Sequence, residues 1–288
     1  MIRISGVTGL YGLLGYPVTH SLSPVMQNAA FTETNYDAVY LCFQVQANAL
    51  ENAIEGIRSL GIHGINVTIP HKIAILSYLD KLDPVAADIG AVNTVVNQDG
   101  VLLGYNTDGL GALQALQAAQ IPLDNQNITM IGAGGTTKAI AYYLAPFCQS
   151  LDVINRTEAK AKQLVSSLRE RFNKPITGKP LNAYTLQKSL DSSDILINTT
   201  SVGMQPDSGR SIVPQSVLHS DLVVFDVVYN PLNTRLLQEA EQVGATTING
   251  LQMLVYQGAQ AFKLWTGVEP PVSIMYHSAR QILEEGSL

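Results

Sequence analysis

The chain is poor in cysteine. Two residues, Cys42 and Cys148, are too few for a disulfide framework or a zinc site, and both read as small buried hydrophobes suited to a reducing compartment. No apolar run reaches about 18 residues and none of signal-peptide length opens the sequence, so a membrane-spanning helix and a secretory leader are not expected. Basic runs are missing as well, and 17 Lys plus Arg against 23 Asp plus Glu leave a formal charge of −6. That balance disfavours a nucleic-acid or anionic-membrane surface. The five histidines show no metal-ligand spacing and the acidic residues form no metal cluster, so no metal is expected. Internal repeats and low-complexity tracts are absent. A soluble, cytoplasmic protein is expected.

Apolar residues make up 46% of the 288, enough for a sizeable core, and the length is about twice that of a usual single domain. From Asn48 to Gly61, Leu50, Ala53, Ile54, Ile57 and Leu60 recur at helical spacing. Gly64 to Pro70 alternates instead, with Ile65, Val67 and Ile69 on one face and Asn66 and Thr68 on the other, which predicts a strand. Beyond Pro70 a helix is expected over Ile73 to Leu79, with Lys72 in its first turn. Ala91 to Val96 and Val101 to Tyr105 flank Asn97, Gln98, Asp99 and Gly100, the composition of a hairpin turn. A Leu/Ala/Gln helix, Leu110 to Gln120, then acts as connector. From 128 to 248, strands at Ile128 to Ile131, Leu151 to Ile154, Asp194 to Asn198, Leu222 to Val228 and Ala245 to Ile248 alternate with helices near 138–147, 158–171 and 234–243, which argues a parallel, doubly wound sheet. Two tail helices, Leu251 to Trp265 and Pro271 to Glu284, break the alternation and are expected to return to the first domain.

The strand Ile128 to Ile131 runs into Gly132, Ala133, Gly134, Gly135, Thr136, Thr137 and Lys138, which open a helix. In that context glycines allow the tight turn and let backbone amides approach a pyrophosphate at the positive end of the helix. The sixth fingerprint position is Thr137 where Gly or Ala is usual, so helix and strand are expected to pack slightly less closely. At the end of the next strand, where an NAD site places Asp or Glu, stand Asn155, Arg156 and Thr157, with Lys160 a turn later. A guanidinium, a hydroxyl and an ammonium suit a 2′-phosphate, which selects NADP. The competing reading makes Arg156 and Lys160 solvated charges and Thr157 a plain N-cap. The fold class is therefore α/β with two domains: a doubly wound Rossmann NADP-binding domain, residues 109–249, and a discontinuous α/β substrate domain, residues 1–108 completed by the C-terminal helices of 250–288.

In the other domain Ser21, Leu22, Ser23 and Pro24 read as a helix start with Ser23 as N-cap and Pro24 at N1. Two hydroxyls beside free helix amides also make a place for a carboxylate. Lys72 and Asp108 are the pair with acid–base potential: a helix start and a carboxylate act in opposite senses on a lysine, as a proton donor requires. Singly, Lys72 reads as a surface lysine and Asp108 as an N-cap of the helix at Leu110. Asn66, Thr68, Asn93 and Asn106 add uncharged polar groups suited to a polyol, and Gln257 is either a ligand-facing amide or a surface residue.

Together these segments resemble the shikimate dehydrogenase family. His20 to Pro24 (HSLSP), Asn66 to Lys72 (NVTIPHK), Gly90 to Thr94 (GAVNT), Asn106 to Gly109 (NTDG), Gly132 to Ala139 (GAGGTTKA), Asn155 to Thr157 (NRT), Asn198 to Met204 (NTTSVGM), Tyr229 to Pro231 (YNP) and Gly250 to Gln257 stand in the family's order and span nearly the whole chain. The resemblance implies reduction of 3-dehydroshikimate to shikimate with NADPH, on the route through chorismate to aromatic amino acids. It further implies that Ser21 and Ser23 bind the substrate carboxylate, that Asn66, Thr68, Asn93, Asp108 and Gln257 hold the ring hydroxyls with Tyr229 nearby, and that Lys72 transfers the proton with Asp108 orienting it. Gly132, Ala133, Gly134, Gly135, Thr136, Asn155, Arg156, Thr157, Lys160, Val227 and Gly250 would line the cofactor. Gln27, Thr137 and Lys138 depart from the commonest family pattern, where His, Ala and Arg are frequent. The rival readings are a quinate/shikimate dehydrogenase with relaxed cofactor use and a non-catalytic NADP or shikimate sensor; a monomer or a homodimer fits either.

Overall fold

The computed structural model describes residues 4–285. The chain divides into two compact units, one running to Gly111 and resuming at Val255, the other spanning Ala112–Leu254. Among the described residues no helix is long and apolar enough to cross a membrane.

The first unit holds β1 (Gly9–Gly15), α1 (Ser23–Glu33), β2 (Ala38–Gln44), α2 (Leu50–Ser59), β3 (Gly64–Val67), β4 (Lys81–Leu82), α3 (Pro84–Ile89), β5 (Thr94–Gln98) and β6 (Val101–Tyr105), and the chain leaves it within α4 (Asp108–Ala118). Its six strands lie in the order β2-β1-β3-β5-β6-β4. The sheet is mixed: β1 is parallel to β2 and β3, while β5 runs antiparallel to both β3 and β6. The β5–β6 hairpin is closed by Asp99 (φ 51°) and Gly100 (φ 90°), a two-residue loop whose paired positive φ values match the strand twist. Leu14, Ile54, Ile65, Val95 and Leu102 pack on the α2 side of the sheet. Tyr11, Phe31, Phe262 and Trp265 form an aromatic cluster with ring centroids 5.3–5.4 Å apart, and the single tryptophan donates its indole N–H to Val95 O at 2.9 Å.

The second unit is a wholly parallel sheet built from β7 (Asn127–Ile131), α5 (Gly135–Leu144), β8 (Ser150–Asn155), α6 (Glu158–Phe172), β9 (Ile176–Pro180), α7 (Ala183–Leu190), β10 (Ile195–Asn198), β11 (Val223–Asp226), α8 (Arg235–Gln242) and β12 (Thr246–Ile248). Its order, β12-β11-β10-β7-β8-β9, reverses between β7 and β10, which is where a doubly wound sheet opens a crevice for a dinucleotide. Ile131, Ile154, Leu196, Val224, Leu236 and Leu237 fill its core. The chain then re-enters the first unit within α9 (Leu251–Thr266) and ends in α10 (Val272–Glu285).

Several local expectations are corrected. Ser23 is the first residue of α1, and Leu22 occupies the N-cap with no side-chain cap bond. Strand β3 stops at Val67, so Ile69 is 63% exposed instead of packed with Ile65. Lys72 is in no α-helix: it precedes a 3-10 turn at Ala74–Tyr78 capped by Ile73, so the helix-end influence expected on its charge has no structural basis. Asp108 lies inside α4 as its first residue.

Candidate active site

In the first unit a chain of buried polar groups ends in one ion pair. The register that sets Asn66 of β3 opposite Thr94 of β5 places their side chains in contact, with Asn66 Nδ2 donating to Thr94 Oγ1 at 3.1 Å and to Asn93 O at 3.2 Å. Asn66 Oδ1 accepts from the Tyr40 hydroxyl at 2.8 Å, and Ser23 is a second side-chain partner of that phenol. Burial pushes the Tyr40 phenol well above its ordinary range, so it stays a donor. Thr94 Oγ1 donates to Asn93 Oδ1 at 3.0 Å, which also accepts from the Thr107 amide at 2.8 Å. Asn93 Nδ2 faces Thr107 Oγ1 at 2.9 Å, Asp108 Oδ1 at 2.8 Å and Gln257 Oε1 at 3.2 Å. Asp108 Oδ2 in turn receives Lys72 Nζ at 2.5 Å, with the two side chains only 5% and 14% exposed.

The backbone explains how Lys72 arrives there. Its carbonyl accepts from Val92 N at 2.8 Å, and the neighbouring His71, 1% exposed, sets its Nε2 2.7 Å from Val45 O. Asn106 Oδ1 accepts from the Asp108 amide at 3.1 Å and so fixes the start of α4. Ser21 Oγ accepts from the Ser23 amide at 3.2 Å ahead of α1, and Thr68 lies just past the end of β3. Gln257 is buried rather than a surface residue. The structure thus gathers Ser23, Asn66, Asn93, Asp108, Gln257 and Lys72 into one network. It adds Tyr40, Thr94 and Thr107, of which the last two sit inside quoted motifs and the first carried no sequence signal.

In the second unit Gly132 has φ 121°, and a Cβ there would stand 2.4 Å from Thr199 Oγ1, so only glycine fits the turn after β7. Ala133 and Gly134 of this loop line one pocket with Asn155, Arg156, Thr157 and Lys160. Gly135 and Thr136 begin α5, and Thr157 is the N-cap of α6, though its side chain makes no cap bond. No carboxylate lines the pocket, and two cations do. That donor set fits a pyrophosphate at a helix start beside a 2′-phosphate. Gly250 and Val227 meet: a Cβ on Gly250 would lie 2.2 Å from Val227 O. Tyr229 follows β11 in this same unit. Among the described residues no three His, Cys, Asp or Glu side chains are grouped as metal ligands.

At the ends of β10 and β11 lies a buried carboxylate. Asp226 is fully buried, accepts from Asn198 Nδ2 at 2.9 Å, Thr234 Oγ1 at 2.7 Å and Val228 N at 3.1 Å, and burial pushes its carboxyl up to about 6 against those bonds.

Family models match residues 13–95 as the shikimate dehydrogenase substrate binding domain, 114–253 as shikimate/quinate 5-dehydrogenase and 250–280 as the shikimate 5′-dehydrogenase C-terminal domain. The shikimate dehydrogenase (NADP(+)) of Thermococcus kodakarensis is 50% identical over 278 residues, covering 96% of this chain and 98% of that one. A solved shikimate dehydrogenase in complex with NADP+ superposes with a TM-score of 0.91 at 44% identity, covering 98% of each chain. The Thermus thermophilus shikimate 5-dehydrogenase, in complex with NADP(H) and shikimate, gives 0.85 at 36% identity over 95% of this chain and 99% of that one. On the models, the identities and the shared fold, the chain belongs to the shikimate dehydrogenase family.

Proposed function

We propose that this chain catalyses the reversible, NADP-dependent reduction of 3-dehydroshikimate to shikimate in the cytoplasm, as a monomer or homodimer. The observation that carries the reading is the buried Lys72–Asp108 pair at the end of an otherwise uncharged hydrogen-bond network. Reduction of a ring ketone needs a proton on oxygen as well as a hydride on carbon. Lys72 Nζ donates that proton as negative charge develops on the oxygen, and in the reverse direction receives it. Asp108 holds the ammonium in place and, with Asn66, Thr68, Asn93 and Gln257, binds the ring hydroxyls. Ser21 and Ser23 take the carboxylate, and Tyr229 is assigned to the substrate as well. Because Asn66 Nδ2 is engaged by Thr94 and the Asn93 carbonyl, and its Oδ1 by Tyr40, what Asn66 offers a ligand is the remaining acceptor position on that oxygen.

Bound NADPH would supply the hydride. Gly132, Ala133, Gly134, Gly135 and Thr136 would cradle its pyrophosphate, Asn155, Arg156, Thr157 and Lys160 its adenosine 2′-phosphate, and Val227 and Gly250 the rest of the cofactor wall. In this reading residues 1–108 with 250–288 form the substrate domain and 109–249 the cofactor domain.

A rate matrix of shikimate and quinate against NADP and NAD tests the proposal, with the largest kcat/KM expected for shikimate with NADP. A larger value for quinate with NAD would favour the broader dehydrogenase. Binding of both ligands without turnover would make the protein a sensor.

A further inference from the structure

We propose that Thr137, at the fingerprint position where a small residue is usual, is a positioning residue for the dinucleotide loop. The proposal rests on the cofactor reading above. Thr137 is fully buried, yet its hydroxyl is not excluded from polar contact. It lies 2.7 Å from Thr199 Oγ1 and accepts from the Gly134 amide at 3.2 Å. Thr199 Oγ1 in turn donates to Ile131 O at 2.7 Å.

Proton bookkeeping gives this chain a direction. A carbonyl only accepts, so the single Thr199 hydroxyl proton goes to Ile131 O, and the proton between the two threonines comes from Thr137. The sequence of donors is then Gly134 N–H to Thr137 Oγ1, Thr137 O–H to Thr199 Oγ1, and Thr199 O–H to Ile131 O. Ile131 is the last residue of β7 and Gly134 the N-cap of α5, so one hydroxyl chain ties both ends of the loop to the segment after β10. Thr199 Oγ1 also occupies the space that a Cβ on Gly132 would need. The two loops bound in this way flank the reversal in strand order, and Gly134 lines the pocket that contains Arg156 and Lys160. A threonine at this position thus adds a bond from the first turn of α5 to the segment after β10. Its effect is to hold the loop in one shape before a ligand arrives, which lowers the ordering cost of binding.

The distinguishing consequence concerns which cofactor part is affected. Loop shape bears on the pyrophosphate, which NAD and NADP share, whereas Arg156 bears on the 2′-phosphate, which only NADP carries. Calorimetric Kd values for NADP and NAD, KM for shikimate and the melting temperature would be measured for Thr137→Val, Thr137→Ser and Thr199→Val. The valine removes the hydroxyl at nearly constant volume and the serine keeps it. Thr137→Val is expected to weaken NADP and NAD by the same factor, about three- to tenfold, the range of one neutral hydrogen bond, with shikimate KM unchanged. Thr137→Ser is expected to restore both affinities. Thr199→Val breaks the same chain from its other end and is expected to match Thr137→Val, which keeps the proposal testable if one variant fails to fold; the double variant adds little further loss. A lower melting temperature with unchanged nucleotide affinity would overturn the proposal and leave Thr137 as a packing residue. Loss for NADP alone would overturn it too, since the effect would then follow the 2′-phosphate. Failure of the cofactor reading is seen separately, as a wild-type protein that binds neither nucleotide, and the inference falls with it.

Discussion

Replacing Asp108 by Asn separates the charge of the ion pair from its shape. In the native site Oδ2 accepts from Lys72 and Oδ1 from Asn93, so the carboxylate receives a donor on each side. An amide of the same size has one acceptor oxygen for two donors. Asn93 has other acceptors at hand in Thr107 Oγ1 and Gln257 Oε1, so the introduced oxygen can remain with Lys72, while the introduced Nδ2 meets Asn93 Nδ2 donor to donor and that one bond is lost. The fold is therefore expected to survive, and what is removed is the counter-charge of a lysine that is 14% exposed, together with the bond from Asn93. Breaking one partner of a buried pair costs about 3–5 kcal/mol, and the residual exposure of Lys72 argues for the lower end, about 3 kcal/mol. Catalysis is expected to fall by about 10²-fold or more, in the range that a positioned proton donor contributes, because the ammonium loses the group that holds it.

Steady-state oxidation of shikimate, followed by absorbance of the reduced nicotinamide, gives kcat and KM, and denaturant unfolding gives the stability change. The variant Lys72→Met adds the decisive comparison. Combined with Asp108→Asn it leaves no unpaired charge, so the double variant is expected to regain stability relative to Asp108→Asn alone while remaining as inactive as either single variant. Lys72→Arg is not expected to restore turnover, since a guanidinium does not give up its proton in this range. A folded Asp108→Asn or Lys72→Met with kcat within a few-fold of the wild type would refute the reasoning and return Lys72 to the class of structural lysines.

Arg156→Ala is expected to raise KM for NADP about tenfold or more through loss of a charge-assisted contact, with NAD kinetics little changed; an equal loss for both would assign Arg156 to stability. Ser21→Ala with Ser23→Ala is expected to weaken shikimate binding and leave NADP binding intact in calorimetry, and unaltered shikimate affinity would remove the serines from the site. Asp226 titrates near 6 in the folded protein against an ordinary 3.8, so the folded state binds this proton more tightly and the carboxyl's contribution to stability is lost as pH rises from about 4 to 6. The shift of about two units corresponds to roughly 3 kcal/mol, from which one hydrogen bond of about 1 kcal/mol is subtracted for Asp226→Asn; a net gain of about 1–2 kcal/mol at pH 7 and a flatter pH–stability curve between 4 and 6 are expected. A curve parallel to the wild type would show that Asp226 is not the titrating group.

The second unit was legible because each of its signals is local. Apolar runs of strand length, helices between them and a glycine loop directly after a strand specify a doubly wound sheet without knowledge of distant contacts. Elements that escaped the pattern did so for physical reasons. Strand β1, Gly9–Gly15, is buried along nearly its whole length and carries three glycines, so it shows neither alternation nor β-branched enrichment. Strand β9, Ile176–Pro180, is an edge strand ending in proline with a glycine at its centre, a composition that reads as loop. The stretch after Pro70 has helical apolar spacing but forms only a 3-10 turn, with the Lys72 carbonyl held by Val92 and the His71 side chain by Val45, both remote in sequence.

The active site shows the opposite balance. Lys72 and Asp108 are 36 residues apart, and no periodicity links them; residue type singled out the pair as an acid–base candidate, and motif order then set one against the other. What the sequence could not convey is the direction of the network behind them. Tyr40 donates to Asn66 Oδ1, Asn66 Nδ2 to Thr94, Thr94 Oγ1 to Asn93 Oδ1, and Asn93 Nδ2 to Asp108. Each step presents a donor towards the carboxylate, so three neutral side chains lie in series between the buried phenol and Asp108. Amides held in this sense cannot flip without stranding a buried donor, at a cost of about 1–3 kcal/mol each. In the proposed function, the acceptor and donor positions that would face the ring hydroxyls are thereby fixed before the substrate binds. A constellation of Asn and Thr residues that reads singly as turn and cap chemistry becomes, through the Tyr40 hydroxyl at one end and Lys72 at the other, a polarised scaffold that ends on one buried ion pair.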